Sequence, residues 1–246
     1  MIAKQIVIHE DAAATAHGIA ARLITSIADA LAARGVAHVV VTGGSLGIAA
    51  LQAVADNPAK VSVDWSAVHF WWGDERFVAA DSPDRNALQA EVLFTALDPL
   101  GLERENVHVM GSTDQFATAE DAAVAYTQVL AAEAPEGAAN PAFDVLMLGM
   151  GPDSHVASLF PNHTRSDELG AIAVHDSPKP PPHRASLTMC TINSAREVWL
   201  LVAGAEKAPA LAAAQHEVNE AAVPASAVHG THATRWLVDR AAATLL

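Results

Sequence analysis

The sequence predicts an α/β fold: a mostly parallel sheet flanked by helices, with a small additional strand and loop region. Three observations carry this. Segments of helical and strand period alternate along almost the whole chain. The run Val145-Leu-Met-Leu148 is apolar at every position, as a strand buried on both faces must be. Several such runs end in glycine-bearing turns that lead into a helical pattern.

Taken in order, Ile19, Leu23, Ile27 and Leu31 recur at i+4 and predict one helix over about 12–34. Val39-Val-Val41 is a short β-branched strand followed by the turn Thr42-Gly-Gly-Ser45, and Ile48 to Val54 is helical again. Val68 to Trp72 reads as a strand closing in the turn Gly73-Asp-Glu-Arg76. A helix is expected over Asp84 to Leu97, with Ser82 as its cap and Pro83 at its first position. Asp114 to Glu133 is Ala-rich and helical. The strand at 143–149 follows, and a further helix is expected to begin where Asp153 and His155 stand. Val198 to Val202 is a strand, Ala205 to His216 a helix, and Trp236-Leu-Val238 a last strand before a short helix. Lys179-Pro-Pro-Pro-His-Arg184 is a stiff, donor-poor loop expected near the site, and Ala134 to Pro141 is another loop. No internal repeat is evident, so residues 1–246 are read as a single domain.

At 51% apolar residues, 246 positions suffice for a sizeable core. The net charge of −14 argues against nucleic acid as a partner, because backbone phosphates demand a basic surface. A small anion stays open, since a local cluster of cations can overrule the global field. Only 14 residues are Lys or Arg, so any that share a cleft carry weight. The single cysteine, Cys190, excludes an internal disulfide framework and any multi-thiolate metal site. Met1 to Glu10 lacks the pattern of a secretory leader, and no apolar run reaches the roughly 18 residues of a membrane span. A cytoplasmic protein without membrane contact is expected.

Four short stretches carry candidate chemistry. Gly43, Gly44 and Ser45 sit between a strand and a helix, where glycines admit an anion and the helix start offers free N–H groups. A ligand-free tight turn explains the same residues equally well. Gly43-Gly-Ser45-Leu-Gly47 also fits the serine-esterase elbow, but only about forty residues precede it, too few for the sheet that such an elbow follows. In Asp74, Glu75 and Arg76 the arginine suits bidentate phosphate recognition, with the acids orienting it or binding hydroxyls; a salt-bridged turn is the plain alternative.

Asp153 and His155 follow Gly149-Met-Gly151 at a strand end, where ligands collect in open α/β sheets. This is not a dinucleotide fingerprint, for the third glycine is missing. An imidazole there suits a general base, while a helix cap and a surface histidine are the bland reading. Arg184 and Lys207 lie near strand ends or adjoining loops, and either is also an ordinary surface cation. The remaining histidines, among them His69 and His175, show no ligand spacing, so neither a metal nor a cofactor is expected.

In their order these stretches resemble the 6-phosphogluconolactonases, relatives of the glucosamine-6-phosphate deaminases. The likeness spans most of the chain: Thr42-Gly-Gly-Ser45, Trp72-Gly-Asp-Glu-Arg76, Asp81-Ser-Pro-Asp-Arg-Asn86, Leu148-Gly-Met-Gly-Pro-Asp-Ser-His155, Ser158-Leu-Phe-Pro161, Arg184-Ala-Ser-Leu-Thr188, Gly204-Ala-Glu-Lys207 and Trp236-Leu-Val-Asp239. The resemblance implies a Rossmann-like fold and hydrolysis of 6-phospho-D-glucono-1,5-lactone to 6-phosphogluconate, the second step of the oxidative pentose phosphate pathway. It implies His155 as the base and Arg76 as a phosphate contact, with Arg184 and Lys207 on the phosphate side. The partner implied is the phosphosugar lactone itself; oligomeric state is not implied.

The chain departs from the family at Leu46-Gly47, where Thr-Pro is usual, and at Ser154-His155-Val156, where Gly-His-Thr is usual. Ser154 is therefore expected to crowd or reshape the pocket. Two rival functions follow: a glucosamine-6-phosphate deaminase or isomerase, and a sugar-phosphate sensor without catalysis. Ala157-Ser-Leu-Phe-Pro161 favours the lactonase over the deaminase.

Overall fold

A computed structural model of the chain describes residues 3–163, 166–216 and 218–246. Met1 and Ile2, the first residues of the stretch read as leaderless, lie outside them. Six parallel strands form the main sheet: β1 (Ala3–His9), β2 (Ala37–Val41), β3 (Val68–Trp72), β5 (Val145–Gly149), β8 (Glu197–Val202) and β9 (Ala233–Asp239), in the order β1-β9-β8-β5-β2-β3. A second sheet of three short antiparallel strands, β4 (Asp74–Arg76), β7 (Arg184–Leu187) and β6 (Ala171–Val174), is the additional region that the sequence implied.

The strands form where β-branched and aromatic residues cluster, and β2, β3, β5 and β8 are buried almost throughout. All five tryptophans are fully buried. Helix α1 (Ala12–Arg34) turns its Ile19, Leu23 and Ile27 stripe into the core. Asp11 caps its start, accepting from the Ala14 N–H at 2.8 Å, and Gly35 closes it with φ 76°. Helix α2 (Gly44–Asp56) packs on α1 and on β5. Helix α5 (Ala119–Ala132) packs on β6 and β7 and places the Tyr126 hydroxyl 3.0 Å from the Trp72 N–H that donates to it. Among the described residues no helix is long and apolar enough to cross a membrane.

Chain order makes β2 and β5 special. From β2 the chain proceeds through α2 to β3 on one side; from β5 it proceeds to β8 and β9 on the other. Their carboxyl ends therefore diverge into a crevice, the place where open α/β sheets hold ligands.

Several sequence expectations are corrected. No helix begins at Asp153 or His155: residues 150–159 form turns with isolated bridges Met150–Val156 and Val156–Leu159. Ser154 (φ 66°) and Ala157 (φ 49°) lie in the left-handed region, which a right-handed helix cannot include. The helix expected over 84–97 starts only at Asn86, and Ala90 divides it into α3 (Asn86–Gln89) and α4 (Glu91–Leu97). Ser82 serves a turn, its Oγ accepting from the Asp84 N–H, and does not cap the helix. The 114–133 helix begins at Ala119 with Thr118 as its cap. Asp74–Arg76 is a strand, not a turn, and Arg184 opens a strand instead of standing in a loop. Edge strand β1, over the β-branched run Ile6-Val-Ile8, was not among the expected strands; Ile6 and Ile8 on it are exposed. Two short helices, α6 (Met189–Asn193) and α7 (Ala208–Gln215), flank β8 in the chain before β9.

Asp144 locks the amino ends of the two central strands. Its Oδ2 accepts the His38 N–H at 2.9 Å and its Oδ1 accepts from Arg34 Nη2 at 2.5 Å, while it is itself buried. Asp144→Ala leaves the His38 N–H and the guanidinium without this acceptor. We expect it to lower stability by about 2–3 kcal/mol, read from the urea midpoint.

Candidate active site

The crevice is a cleft of about 280 Å³ at the carboxyl ends of β2, β3, β5 and β8. Its floor is the turn from β2 into α2. Gly43 is the N-cap of α2 and supplies no side-chain acceptor, so the first-turn N–H groups of a 13-residue helix stay free beside the exposed Gly44 and Ser45. The turn must be glycine at 43, because a Cβ there would overlap the Asn86 carboxamide. Ser45 opens into the cleft, and among the described residues no imidazole hydrogen-bonds to its hydroxyl, so the base that an esterase elbow needs is missing. Leu46 and Gly47, the departures in this turn, also line the floor.

Four cations share the cleft: Arg76, Lys179, Arg184 and Lys207. Arg76 donates from Nη1 to the Asp84 carbonyl, and its buried Nε has no hydrogen-bond partner among the described residues. Arg184 is itself buried. Its Nη2 donates to the Lys179 carbonyl at 2.9 Å, its Nε to the Pro181 carbonyl at 3.3 Å, and Nη1 lies 3.9 Å from Asp74 Oδ2. Burial lowers its pKa, Asp74 raises it and Arg76 lowers it again, yet a guanidinium stays charged throughout. The Lys207 pKa is lowered by burial first and then by the like charge of Lys179.

Asp74 lines the cleft and accepts from Ser158 Oγ at 2.6 Å. Glu75, expected beside it as a ligand contact, is not in the lining. Side chains alternate across a strand, so Asp74 and Arg76 face the cleft and Glu75 faces the interior. There it is fully buried: Oε1 accepts from the Arg76 and Asn86 N–H groups and Oε2 from the Ala87 N–H, each at 2.8 Å, with Arg85 Nε 3.8 Å away. Glu75 thus caps α3 from eleven residues upstream. Burial raises its pKa, while the Arg85 charge and the three N–H donors oppose that rise.

His155 and Asp153 stand at the end of β5. His155 Nδ1 lies 2.5 Å from Asp153 Oδ1, and its ring packs 4.6 Å from the Phe160 ring, over which Arg184 also lies at 5.8 Å. His155 lines the cleft; Asp153 does not, and reaches it through the imidazole and through its charge on Lys207. Burial pushes the Asp153 carboxyl up, but the hydrogen bond and charge of His155 outweigh this and hold it down at about 2. An ionised carboxylate only accepts, so the hydrogen of the neutral ring sits on Nδ1, the tautomer that leaves the lone pair on Nε2. Gly151 permits this pair: a Cβ there would overlap both the imidazole and Asp153 Oδ1.

The departure at Ser154 has a backbone explanation. The position is left-handed, which glycine adopts freely, and Ser154 turns its Oγ to the Asp153 carbonyl at 2.5 Å. It is buried and does not line the cleft, so the expected crowding does not occur.

Asn86, Phe160 and Lys179 are among the lining residues that sequence reasoning did not name as site members. Each stands within a stretch already singled out, but only the fold turns it inward. Asn86 donates from Nδ2 to the Asp74 carbonyl at 2.9 Å, and its buried Oδ1 has no hydrogen-bond partner among the described residues.

A parallel sheet with a cation-lined cleft at its switch point, holding an acid–imidazole pair, defines the class of α/β enzymes that bind small anions at strand ends. Residues 10–236 match the family described as glucosamine-6-phosphate isomerases/6-phosphogluconolactonase, and the chain belongs to that family. It is 50% identical to a 6-phosphogluconolactonase of Streptomyces coelicolor, over 98% of this chain and 94% of that one. The 6-phosphogluconolactonase of Mycobacterium tuberculosis is 45% identical over 92% and 91% of the two chains. Among solved structures, a 6-phosphogluconolactonase from Thermotoga maritima superposes with a TM-score of 0.82 at 28% identity, covering 96% of this chain and all of that one.

Replacing Glu75 with Ala removes the acceptor of three N–H groups and leaves the Arg85 guanidinium, still bonded to main-chain carbonyls, without its carboxylate. The expected loss is about 3 kcal/mol in urea unfolding, with no new cleft contact to compensate.

Proposed function

We infer that the chain hydrolyses 6-phospho-D-glucono-1,5-lactone to 6-phospho-D-gluconate, in the oxidative pentose phosphate pathway. The observation that carries this reading is His155, paired with Asp153 and lining one cleft with four cations, in a chain half identical to a named 6-phosphogluconolactonase.

The phosphate is the strongest handle on the substrate. In a protein of charge −14, Arg76, Lys179, Arg184 and Lys207 make this cleft locally cationic, and the free N–H groups of Gly44 and Ser45 add the positive end of α2. Binding energy gathered at the phosphate places the ring, so that the C1 carbonyl meets His155 without further cost in orientation.

His155 Nε2 takes a proton from water as the hydroxide oxygen bonds to C1. The carbonyl electrons move to oxygen, giving a tetrahedral adduct. On collapse the C1–ring oxygen bond breaks, and the imidazolium returns its proton to the departing oxygen, which becomes the C5 hydroxyl. The acid so formed at C1 loses its proton to solvent. Asp153 stabilises the transient imidazolium and fixes its tautomer. Its depressed pKa keeps it ionised at any pH well above 2, so it contributes no step to the activity profile near neutrality. The same depression makes the pair's contribution to stability complete above the ordinary carboxyl value of 3.8 and lost as pH falls through about 2.

The deciding experiment generates the lactone in situ with glucose-6-phosphate dehydrogenase and follows its loss against spontaneous hydrolysis. Wild type should accelerate it, and His155→Ala should lose roughly 10²–10⁴-fold in kcat. Gly151→Ala, which forces the imidazole off Asp153, should lose about 10²-fold while folding normally. No acceleration by folded wild type, or near-full activity in His155→Ala, would overturn the reading. For Lys179→Ala the expected change falls on KM, which should rise roughly tenfold with kcat nearly unchanged, as loss of one uniform phosphate contact requires.

A further inference from the structure

At the other end of the sheet, three side chains with no ligand spacing in sequence converge. His69 is the second residue of β3. His108 follows Val107, which bridges to Phe70 of the same strand, and the His108 N–H donates to the Phe70 carbonyl at 2.9 Å. Glu133 is the C-cap of α5. One ligand atom from each, His69 Nδ1, His108 Nε2 and a Glu133 carboxylate oxygen, lies within 4.8 Å of the others. His69 Nδ1 is 3.0 Å from His108 Nε2 and 3.8 Å from Glu133 Oε2.

We propose that His69, His108 and Glu133 form a binding site for a zinc-class divalent cation, remote from the cleft and serving as a staple between β3, the 104–110 segment and the end of α5.

The donor set is the first argument. Two imidazoles and one carboxylate suit zinc and its first-row neighbours, and leave a fourth position for water. Zn–N bonds of about 2.0–2.1 Å at a tetrahedral angle need nitrogens roughly 3.3 Å apart. The observed 3.0 Å is a hydrogen bond between the rings, and binding would exchange its proton for the cation with a small rotation and an opening of a few tenths of an ångström.

Packing is the second argument. The two rings lie within 12° of parallel, and His108 stacks on Trp71 at 3.8 Å between centroids. Tyr126 of α5 donates to the His108 carbonyl at 3.3 Å. His38 lies next to His69, at 4.8 Å between centroids, but its Nδ1 accepts from Trp71 Nε1 at 3.2 Å. It backs the ligands and does not complete them.

Electrostatics is the third. Glu133 stands at the negative end of the α5 dipole, and the last turn of that helix has no basic residue. A carboxylate there is disfavoured unless a cation faces it. Asp74 stands five positions beyond His69 in extended chain, so the site lies roughly 15 Å from the cleft.

Full-length protein stripped with chelator and titrated with Zn²⁺ alone, by calorimetry, should bind one equivalent, and Zn²⁺ should raise its melting temperature. Co²⁺ should give the visible bands of a tetrahedral site. Glu133→Gln, an exposed and conservative change, should weaken binding at least about tenfold, keep the metal-free melting temperature and hydrolyse the lactone as wild type does. His69→Asn should weaken binding at least as much. His155→Asn should bind Zn²⁺ unchanged. The proposal fails if wild type takes up no stoichiometric zinc, if Glu133→Gln binds as wild type does, or if His155→Asn abolishes binding, which would move the cation to the cleft. These readouts stand whether or not the lactone proves to be the substrate.

Discussion

A carboxylate buried beyond the reach of water governs the shape of the cleft. Glu75 accepts three backbone N–H groups at 2.8 Å and faces the Arg85 guanidinium. Such a charge is tolerable only when its lone pairs are met. Meeting them fixes Asp74 and Arg76 on the opposite face of β4 and sets the first turn of α3 against the strand. That turn puts Asn86 beside Gly43, so the phosphate-cradle candidate and the Arg76 wall are parts of one hydrogen-bonded construction. The residue expected to touch ligand thus orders the residues that line the cleft.

The cleft also reverses the sign of the molecule. Acidic residues outnumber basic ones two to one, 28 against 14, yet the lining carries four cations and one carboxylate, Asp74. Lys207 and Lys179 sit close enough to depress the Lys207 pKa, and Arg184 and Arg76 oppose one another likewise. Like charges held together in a partly buried space are relieved by a dianion, so the same repulsion that costs stability in the free protein favours the phosphate ester.

Legibility in the sequence followed the range of the interactions. Helix α1 and strands β2, β3, β5 and β8 were readable, because their periodicity is local and their burial nearly complete. A small additional strand region was foreseen, but its individual strands were not placed, because they have three or four residues and pair across long distances, as Asp74 does with Ser186. The start of α3 was misplaced because its cap comes from Glu75 and not from the preceding residues. Around His155 the expected helix is replaced by left-handed turns at Ser154 and Ala157, for which no glycine gave warning. His155, Arg76, Arg184 and Lys207 were found from their places at strand ends, and the structure gathers them in one cleft. Glu75 was misassigned because the reading took Gly73–Arg76 as a turn; in a strand, alternation would have separated it from its neighbours. The histidine cluster was invisible, for His69, His108 and Glu133 meet only through tertiary packing.

Arg184 is held by main-chain carbonyls of Lys179, Pro180 and Pro181, not by their side chains. An anchor of that kind reads the path of a loop and is blind to its spelling. Drift in this segment among descendants of the chain is therefore free to change residue identities while its length and course stay fixed. An insertion of a single residue would disturb the cationic wall more than several substitutions.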